Sequence, residues 1–428
     1  MKKALTSVLM SSVLLASAVG CSSTSSEQQS AAGTAAPAAS SKSEATPAAS
    51  KEKKQLKLWF YFEGKERFDK IASLTQGYSK VDSSVEVVPE FIPFAEFKKR
   101  LSVGLAAQDL PDIVVIDNPD HAAYAAMGLF ADITDKIKDW PDKDQFYEGP
   151  WKSATLNGKV YGIPLGSNNL ALFYNKAMLD SAGVKPPQTW DELRDAAKKL
   201  SKGDIKGLGF SGLGNEEGTF QFLPWLLGAG ATFDKVDSPQ GVKAYSYLAD
   251  LIKDQSVSKE VLNWTQADVM KQFAAGKIAM MVNGPWQIPE LKTNAPDLQY
   301  GVALLPKGEK YASVLGGENL GVVNGKNVDD AVKFIKYVAS PDVIKPFAQS
   351  FGYFPSRKDV ATDKYWTEDP VLKVFNEEMQ YAQPRGPHPK WPEISNALSS
   401  ALQQTLTLSK TPEEAAKEAQ TKINEVLK

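Results

Sequence analysis

The 428-residue sequence is poor in the side chains that nucleophilic and zinc-dependent enzymes use, with one cysteine, Cys21, and two histidines, His121 and His388. A single cysteine excludes a disulfide within the chain and a zinc site built from several cysteines. The two histidines are far apart in the sequence, and neither has a nucleophile and a carboxylate in a recognisable pattern around it. We therefore expect both histidines to be structural, and we expect no cofactor, no metal and no catalytic residue.

The sequence also has no excess of charge of either sign. Its 49 basic and 51 acidic residues give a net charge of −2, which does not favour nucleic acid as a partner. Apolar residues make up 43% of the chain and charged residues 23%, as in a soluble globular protein. A chain of this length should form two domains, because a single core stops growing at about 250–300 residues.

The apolar run near the start of the chain, Val8 to Leu15, is too short to cross a membrane. Two lysines precede it and small residues follow it, which is the pattern of a secretory signal. We therefore predict a signal peptide over residues 1–20 and export of the chain. Residues 18–21, Ala-Val-Gly-Cys, resemble a bacterial lipobox, in which the cysteine is lipidated. Ordinary cleavage that leaves Cys21 as a free thiol is the alternative.

The segment after Cys21 has a composition that cannot form a core. Residues 22–54 consist mainly of Ser, Ala, Thr, Pro, Gln, Glu and Lys. We predict that residues 21–54 form a lipidated N-terminus and a disordered tether with a reach of about 30 Å. Two acyl chains suffice for stable anchoring. The protein is therefore expected on the extracytoplasmic face of a cell membrane, anchored by lipid.

Apolar runs of strand length alternate with helical patterns in the part that follows. Gln55 to Phe62, Val85 to Val88 and Leu110 to Ile116 are predicted strands, and residues with helical periodicity lie between them. This alternation predicts a doubly wound α/β sheet.

Ligands of such sheets bind beyond the carboxyl ends of the strands. The residues at the carboxyl ends of the first and third predicted strands and just after them are therefore candidates for ligand contact: Tyr61, Glu63, Asp117 and Asn118. The alternative is that they are loop residues and helix caps, roles in which Asp and Asn are common.

Several motifs then follow in an order that is typical of one family. They are the stretch from Asn157 to Leu200, with its GIP, YNK and TW-E-L elements, LPDIVVID at 110–117, FAAGKIAMMVNGPW at 273–286, GVALLPKG at 301–308 and GGENLGVV at 316–323. In the first of these, Thr189 and Glu192 have the spacing of a capping box. Together the motifs resemble family 1 extracellular solute-binding proteins, the maltose-binding-protein-like receptors of ABC importers.

The resemblance implies a type II periplasmic-binding-protein fold, in which two doubly wound α/β lobes are joined by a three-segment hinge and enclose the ligand cleft. The crossings between lobes are expected near residues 166–171, 299–303 and 350–354. Lobe 1 would comprise residues 55–168 and 303–350, and lobe 2 would comprise residues 169–302 and 351–428.

A tryptophan on a Gly-Pro turn is the strongest candidate for ligand contact. The sequence Asn283-Gly284-Pro285-Trp286 follows a predicted strand, and a flat indole gives a large contact area to the apolar face of a sugar ring. The alternative is a tryptophan that covers a helix start.

Other candidates are the residues that the resemblance places at the crossings and the cleft. They are Asn168, Asn169, Glu217, Gly317, Glu318, Asn319 and Tyr353, and to them we add Trp391, which lies in a stiff, proline-rich loop at residues 385–392. Amides, carboxylates and aromatic planes suit sugar hydroxyls and ring faces. The alternative to ligand contact is in each case a structural role, in a turn, in a surface loop or in core packing.

The resemblance implies a monomeric, non-enzymatic receptor that binds a sugar or oligosaccharide by lobe closure and delivers it to a membrane permease. Three alternatives remain open: a secreted glycoside-active enzyme that uses paired carboxylates such as Glu63 and Asp117, a binding protein for a non-sugar solute, and a surface adhesin for a polymer.

Overall fold

The computed structural model describes residues 53–386 and 388–428. The predicted signal peptide, the lipidation site Cys21 and nearly all of the predicted tether lie outside these residues. The first strand already includes Lys54, which we had predicted to end the tether. Among the residues described, no helix combines the length and the apolar character needed to cross a membrane.

Twelve strands are present in the described residues. They are β1 (Lys54–Phe60), β2 (Val85–Phe91), β3 (Ile113–Asp117), β4 (Thr155–Leu156), β5 (Lys159–Val160), β6 (Gly162–Asn168), β7 (Ala171–Asn175), β8 (Lys206–Gly209), β9 (Ile278–Asn283), β10 (Tyr300–Ala303), β11 (Ser313–Val322) and β12 (Ala382–Pro384).

Eighteen α-helices accompany them in the same part of the chain, with short 3-10 helices at Pro141–Gln145 and Lys259–Leu262. The α-helices are α1 (Lys65–Val81), α2 (Phe94–Ala107), α3 (Asn118–Ala126), α4 (Thr134–Ile137), α5 (Glu148–Ser153), α6 (Lys176–Ser181), α7 (Trp190–Leu200), α8 (Glu216–Gly228), α9 (Pro239–Lys253), α10 (Gln266–Ala274), α11 (Gln287–Asn294), α12 (Val328–Val338), α13 (Pro341–Phe351), α14 (Lys358–Ala361), α15 (Lys364–Glu368), α16 (Pro370–Glu378), α17 (Trp391–Leu406) and α18 (Pro412–Leu427).

The larger sheet has six strands and is the basis of lobe 1. Its first three strands are parallel in the order β2-β1-β3, as the alternating pattern predicted. Strand β11 runs antiparallel to β3 on one side and to β6 on the other, and β12 pairs with the beginning of β11. All five residues of β3 are buried, because a central parallel strand is covered on both faces.

The smaller sheet has four strands in the order β10-β7-β9-β8 and is the basis of lobe 2. Strand β7 is antiparallel to both of its neighbours, and β8 is parallel to β9. Helix α7 packs on this sheet through the predicted face, with Trp190, Leu193 and Leu200 buried. The Thr189 hydroxyl caps α7 as predicted, but the Glu192 carboxylate accepts from the amide of Gln188 and not from that of Thr189, so the capping box is incomplete.

The chain passes from the larger sheet to the smaller one and back, and it leaves lobe 1 a third time after α13, although β12 then rejoins the larger sheet. The first passage lies at residues 169–170, between β6 and β7, and the third begins after α13, where Phe354 exchanges two backbone hydrogen bonds with Ser167. The second passage lies after β10 and not at residues 299–303. Residues 304–312 stay with lobe 2, because the amide of Lys307 donates to Gln188 and Glu309 forms an ion pair with Lys243. Lobe 1 therefore resumes at β11.

Candidate functional site

A cavity of about 220 Å³ lies between the two lobes. Residues at the ends of β1, β3 and β6 and in the middle of β11 line one side of it, and residues from α8, α10 and the turn after β9 line the other. The full set is Tyr61, Phe62, Glu63, Arg67, Pro93, Phe94, Ala95, Asp117, Asn168, Glu216, Glu217, Phe220, Thr265, Gln266, Ala267, Trp286, Gln287, Gly317, Glu318, Phe351, Tyr353 and Arg385. Seven of these residues are aromatic, so flat apolar surfaces dominate the walls.

The lobe 1 side of the cavity is built at the carboxyl ends of the strands. Tyr61 follows β1 and packs edge-on against Phe94 and Phe97 of α2. Its hydroxyl donates a hydrogen bond of 3.2 Å to Oε1 of Glu318. Glu318 can reach this position because Gly317 adopts a φ of +131°, and a Cβ there would lie 2.1 Å from a backbone oxygen of β6.

The lobe 2 side depends on a capped helix. The Asn215 side chain caps α8 by accepting from the amide of Glu217 at 3.0 Å. This fixes the first turn of the helix, so that Glu216, Glu217 and, one turn later, Phe220 all line the cavity. The backbone amide of Gln266, at the start of α10, donates to the Glu217 carboxylate.

Trp286 stands on the turn after β9, as the sequence predicted. Its indole lies over Gly284, where any Cβ would be 1.8 Å from the ring, so only glycine fits. The ring is 6.1 Å from that of Phe220, measured between centroids. The carbonyl oxygen of Trp286 accepts a hydrogen bond of 2.6 Å from Nη2 of Arg67, which belongs to α1 in lobe 1.

A buried ionic cluster forms the floor of the cavity. Arg385, just after β12, donates to both carboxylate oxygens of Asp117 at 2.6 and 2.8 Å. It also donates to Oε1 of Glu216 at 2.7 Å. On the far side, Lys98 pairs with Asp120 at 2.8 Å and lies 3.7 Å from Glu216. Asp117 and Glu216 belong to different lobes, so Arg385 links the lobes at the floor.

The cluster changes the proton affinity of its members. Burial alone would raise the pKa of Glu216, but Lys98 and Arg385 outweigh it and hold that pKa below its usual value. Glu318 forms no ion pair among the described residues, and burial and the nearby Asp117 outweigh the effect of Arg385 and raise its pKa to about 8. Burial likewise raises the pKa of Glu217 to about 7.

A family model described as bacterial extracellular solute-binding protein matches residues 70–374 of the sequence. The chain belongs to this family.

Three known proteins resemble this solute-binding protein in sequence, and two of them also in structure. An ABC transporter solute-binding protein of Thermotoga lettingae, bound to alpha-D-tagatose, is 30% identical with a TM-score of 0.82, over 88% of this chain and 100% of that one. The maltose-bound MalE3 of T. maritima is 26% identical with a TM-score of 0.80, over 87% and 99% of the two chains. The maltotriose-binding protein of Pyrococcus abyssi is 27% identical over 363 residues, 81% of this chain and 76% of that protein.

The structure brings nine of the thirteen predicted site residues of this solute-binding protein to the cavity. They are Tyr61, Glu63, Asp117, Asn168, Glu217, Trp286, Gly317, Glu318 and Tyr353. Whether each of them contacts a ligand remains a prediction.

The other four predicted residues do not line the cavity, because each is held in the interior. Asn118 begins α3 and is buried there. The Asn169 amide donates to the carbonyl of Phe375, and the Asn319 amide donates to Ser153 and contacts His121. Trp391 is fully buried, and its indole N–H donates to Oε2 of Glu216 at 3.0 Å. Trp391 therefore positions a cavity residue and is not itself a platform for a ligand.

Sequence analysis missed several residues that line the cavity, above all Arg67, Glu216, Phe220 and Arg385. Glu216 and Phe220 flank the predicted Glu217, and an Asn cap ahead of two acidic residues was a usable signal for the first turn of α8. Arg385 stands in the stiff loop that drew attention only for Trp391. His121 is buried and stacks on Phe130, and burial lowers its pKa to about 3, in keeping with the expected structural role.

Proposed function

We propose that this protein binds a sugar or oligosaccharide outside the cytoplasm and delivers it to the permease of an ABC importer. The observation that carries the proposal is the cavity between the lobes, where aromatic planes such as Trp286 and Phe220 alternate with carboxylates and amides. Flat apolar rings suit the faces of a sugar ring, and the polar groups suit its hydroxyls. Relatives of the same fold are bound to tagatose and to maltose.

Binding would close the two lobes, because the ligand contacts both of them only in the closed form. A ligand that touches Glu318 in lobe 1 and Trp286 in lobe 2 reaches both only when the lobes are close, so it shifts the population towards the closed form. That closed form would be recognised by the permease. We propose that the protein works as a monomer, because one chain supplies both walls of the cavity.

We also propose that the protein is anchored by a lipid at Cys21 after removal of residues 1–20. The lipobox-like sequence supports this, together with the composition of the residues that follow it. The extracellular family to which the chain belongs fits such a location.

A glycoside-active enzyme is the competing function, and the geometry gives it less support. The carboxylate of Asp117 has both oxygens engaged by Arg385, so it is poorly placed to act as a nucleophile or a general base. Incubating the protein with oligosaccharides and analysing the mixture for shorter products would separate the two functions, since a receptor returns its ligand unchanged.

A thermal-shift screen against mono-, di- and oligosaccharides tests the proposed function directly. A ligand that binds only the folded protein adds about 2.7 kcal/mol of stability at a hundredfold excess over its dissociation constant. We expect at least one sugar to raise the melting temperature and to reduce the radius of gyration in small-angle scattering. If no sugar in the panel does either, the sugar assignment is wrong while the fold stands.

A further inference from the structure

The cavity contains more carboxyl groups than cations. Five carboxyl groups line it, against the two guanidinium groups of Arg67 and Arg385. The carboxyl groups are those of Glu63, Asp117, Glu216, Glu217 and Glu318. Two of the five, Asp117 and Glu216, are paired with Arg385. In the part of the chain that the structure describes, the other three take part in no ion pair.

Glu318 is the most deeply placed of these three residues. Its side chain lies at the floor of the cavity, and the residue is only 8% exposed. One carboxyl oxygen accepts from Tyr61, and the other, Oε2, has no hydrogen-bond partner among the described residues. A buried carboxyl oxygen without a partner is unfavourable, so a donor on the ligand that reached this atom would relieve that cost.

Neither guanidinium group can take that position. Arg385 is already held by Asp117 and Glu216. Arg67 donates to two backbone carbonyl oxygens, those of Trp286 and Glu63 at 2.6 and 3.4 Å, and forms no ion pair within the described ranges. In the described part of the chain, the carboxyl groups of Glu63, Glu217 and Glu318 are therefore left without a cation of the protein beside them, and a cation on the ligand could pair with them.

Carboxylates set among aromatic rings are the groups that recognise an ammonium ion, through charge-assisted hydrogen bonds and cation–π contacts. Resting on the sugar-binding function proposed above, we propose that the ligand carries an ammonium group on its sugar ring, as amino sugars do, and that Glu318 binds this group. The cavity of about 220 Å³ suits a ligand of one or two sugar rings.

Without a ligand cation, the surroundings of Glu318 disfavour its charged form. The groups that act on Glu318 are Asp117, Tyr353, Tyr61 and Arg385. Burial and Asp117 together favour the protonated acid, which a ligand cation would reverse by favouring the carboxylate. An ammonium group on the ligand would therefore restore the charge that burial suppresses.

Paired ligands provide the test. Isothermal titration calorimetry at pH 7 would compare glucosamine, galactosamine and mannosamine with the corresponding neutral hexoses and with their N-acetyl forms, together with a glucosamine disaccharide and cellobiose. We expect at least one amine to bind about tenfold or more tightly than both of its uncharged counterparts, since a charged hydrogen bond contributes at least that much. Acetylation keeps the nitrogen and removes the charge, so it isolates the effect of charge.

Two variants test whether the preference for the amine arises from the carboxyl groups of the cleft. Glu318→Gln keeps the shape of the side chain and should reduce the preference for the amine to below about threefold, with a smaller reduction in Glu217→Gln. Glu260→Gln is the matched control, because Glu260 is exposed and does not line the cavity, and it should leave every affinity unchanged. If Glu318→Gln does not fold, the comparison of amines with their uncharged counterparts on the parent protein still decides whether the ligand carries an ammonium group.

The outcomes distinguish this inference from the function on which it rests. Neutral sugars that bind as tightly as their amines would overturn the inference and leave the sugar-binding function standing. If choline or a simple diamine binds and no sugar does, both are wrong. An amine preference that persists in Glu318→Gln would also overturn the assignment.

Discussion

Arg67 and Trp286 are joined by a hydrogen bond of 2.6 Å from a guanidinium nitrogen to a backbone carbonyl oxygen. Arg67 lies on α1 in lobe 1, and Trp286 follows β9 in lobe 2, so this bond crosses the cleft. Trp286 also presents its indole to the cavity. The same residue therefore takes part in lobe closure through its backbone and in the cavity wall through its side chain.

Removing the cross-cleft bond should weaken ligand binding. In Arg67→Ala the closed form loses a charged hydrogen bond, a loss of about 1.5 kcal/mol or more, and we expect the affinity for a cognate sugar to fall about tenfold. Calorimetry measures the affinity, and small-angle scattering measures closure. The control is Lys70→Ala, an exposed position on the same helix. Equal affinities in the two variants would show that the bond does not contribute to closure.

Trp286→Ala should weaken binding without unfolding the protein. Covering one face of the indole removes about 80 Å² of apolar surface from water, worth about 2 kcal/mol, which corresponds to roughly thirtyfold in affinity. The melting temperature of the free protein should change by only a few degrees, because Trp286 is half-buried.

Trp140→Ala is the matched control for Trp286, since it is another half-buried tryptophan that does not line the cavity. Its affinity should equal that of the parent. An affinity of Trp286→Ala within threefold of the parent, or a failure of that variant to fold, would make Trp286 a structural residue.

Arg385→Met should destabilise the fold itself. The substitution leaves the carboxylates of Asp117 and Glu216 buried without their shared cation, and breaking a buried pair costs about 3–5 kcal/mol. Urea denaturation measures this loss. Adding Asp117→Asn to the variant should recover part of it, because one uncompensated charge is then removed.

The comparison for Arg385 is Arg194→Met, which breaks a more exposed pair with Asp254 and should cost at most about 1 kcal/mol. If the two arginine variants are equally stable, the buried cluster does not have the role assigned to it.

Glu378 should make the protein less stable as the pH rises. It is buried on α16, its Oε2 accepts from the amide of Leu305, and burial raises its pKa to about 8. An unfolded glutamate titrates near pH 4.3, so between about pH 4 and pH 8 the folded state holds the proton that the unfolded state has lost. The free energy of unfolding therefore falls across this range, by a few kcal/mol at about 1.4 kcal/mol per unit of pKa difference.

The pH effect is measured from urea midpoints at pH 5, 7 and 9. Glu378→Gln should flatten the dependence, although the raised pKa values of Asp120, Glu217 and Glu318 contribute in the same direction. Glu377→Gln, exposed on the same helix, should preserve it. An unchanged slope in Glu378→Gln would contradict the assignment.

Cys21→Ser should release the protein from the membrane. If the cysteine carries the lipid, its loss removes the acyl chains that anchor the chain. Cell fractionation followed by immunoblotting measures the distribution between membrane and medium. A serine variant that stays with the membrane to the same extent as the parent would rule out anchoring through Cys21.

The sequence predicted the fold, and it predicted those site residues whose position follows from the strand or turn beside them in the chain. Tyr61 and Glu63 were found because they follow a strand, and Trp286 because a Gly-Pro turn follows another; both rules concern residues that are adjacent in the chain. The parallel arrangement of β1, β2 and β3 was predicted for the same reason.

The order of residues along the chain does not show which polar side chains find their hydrogen-bond partners inside the protein. Asn169 and Asn319 looked like ligand contacts, but both donate to groups more than a hundred residues away in the sequence. The Arg385 cluster draws on residues 117, 216 and 385. Ion pairs between residues so far apart in sequence produce no periodic pattern, so they cannot be found from a single sequence.

Strand β11 pairs with both β3 and β6, and β12 pairs with β11. A ribosome that has produced residues 1–312 has therefore not yet made a strand that lies in the middle of lobe 1. Contacts so distant in sequence form slowly, and the larger sheet cannot be completed before β11 and β12 have been made. This delay would suit the export that we propose, because a lobe that has not folded can still be threaded through a secretion channel.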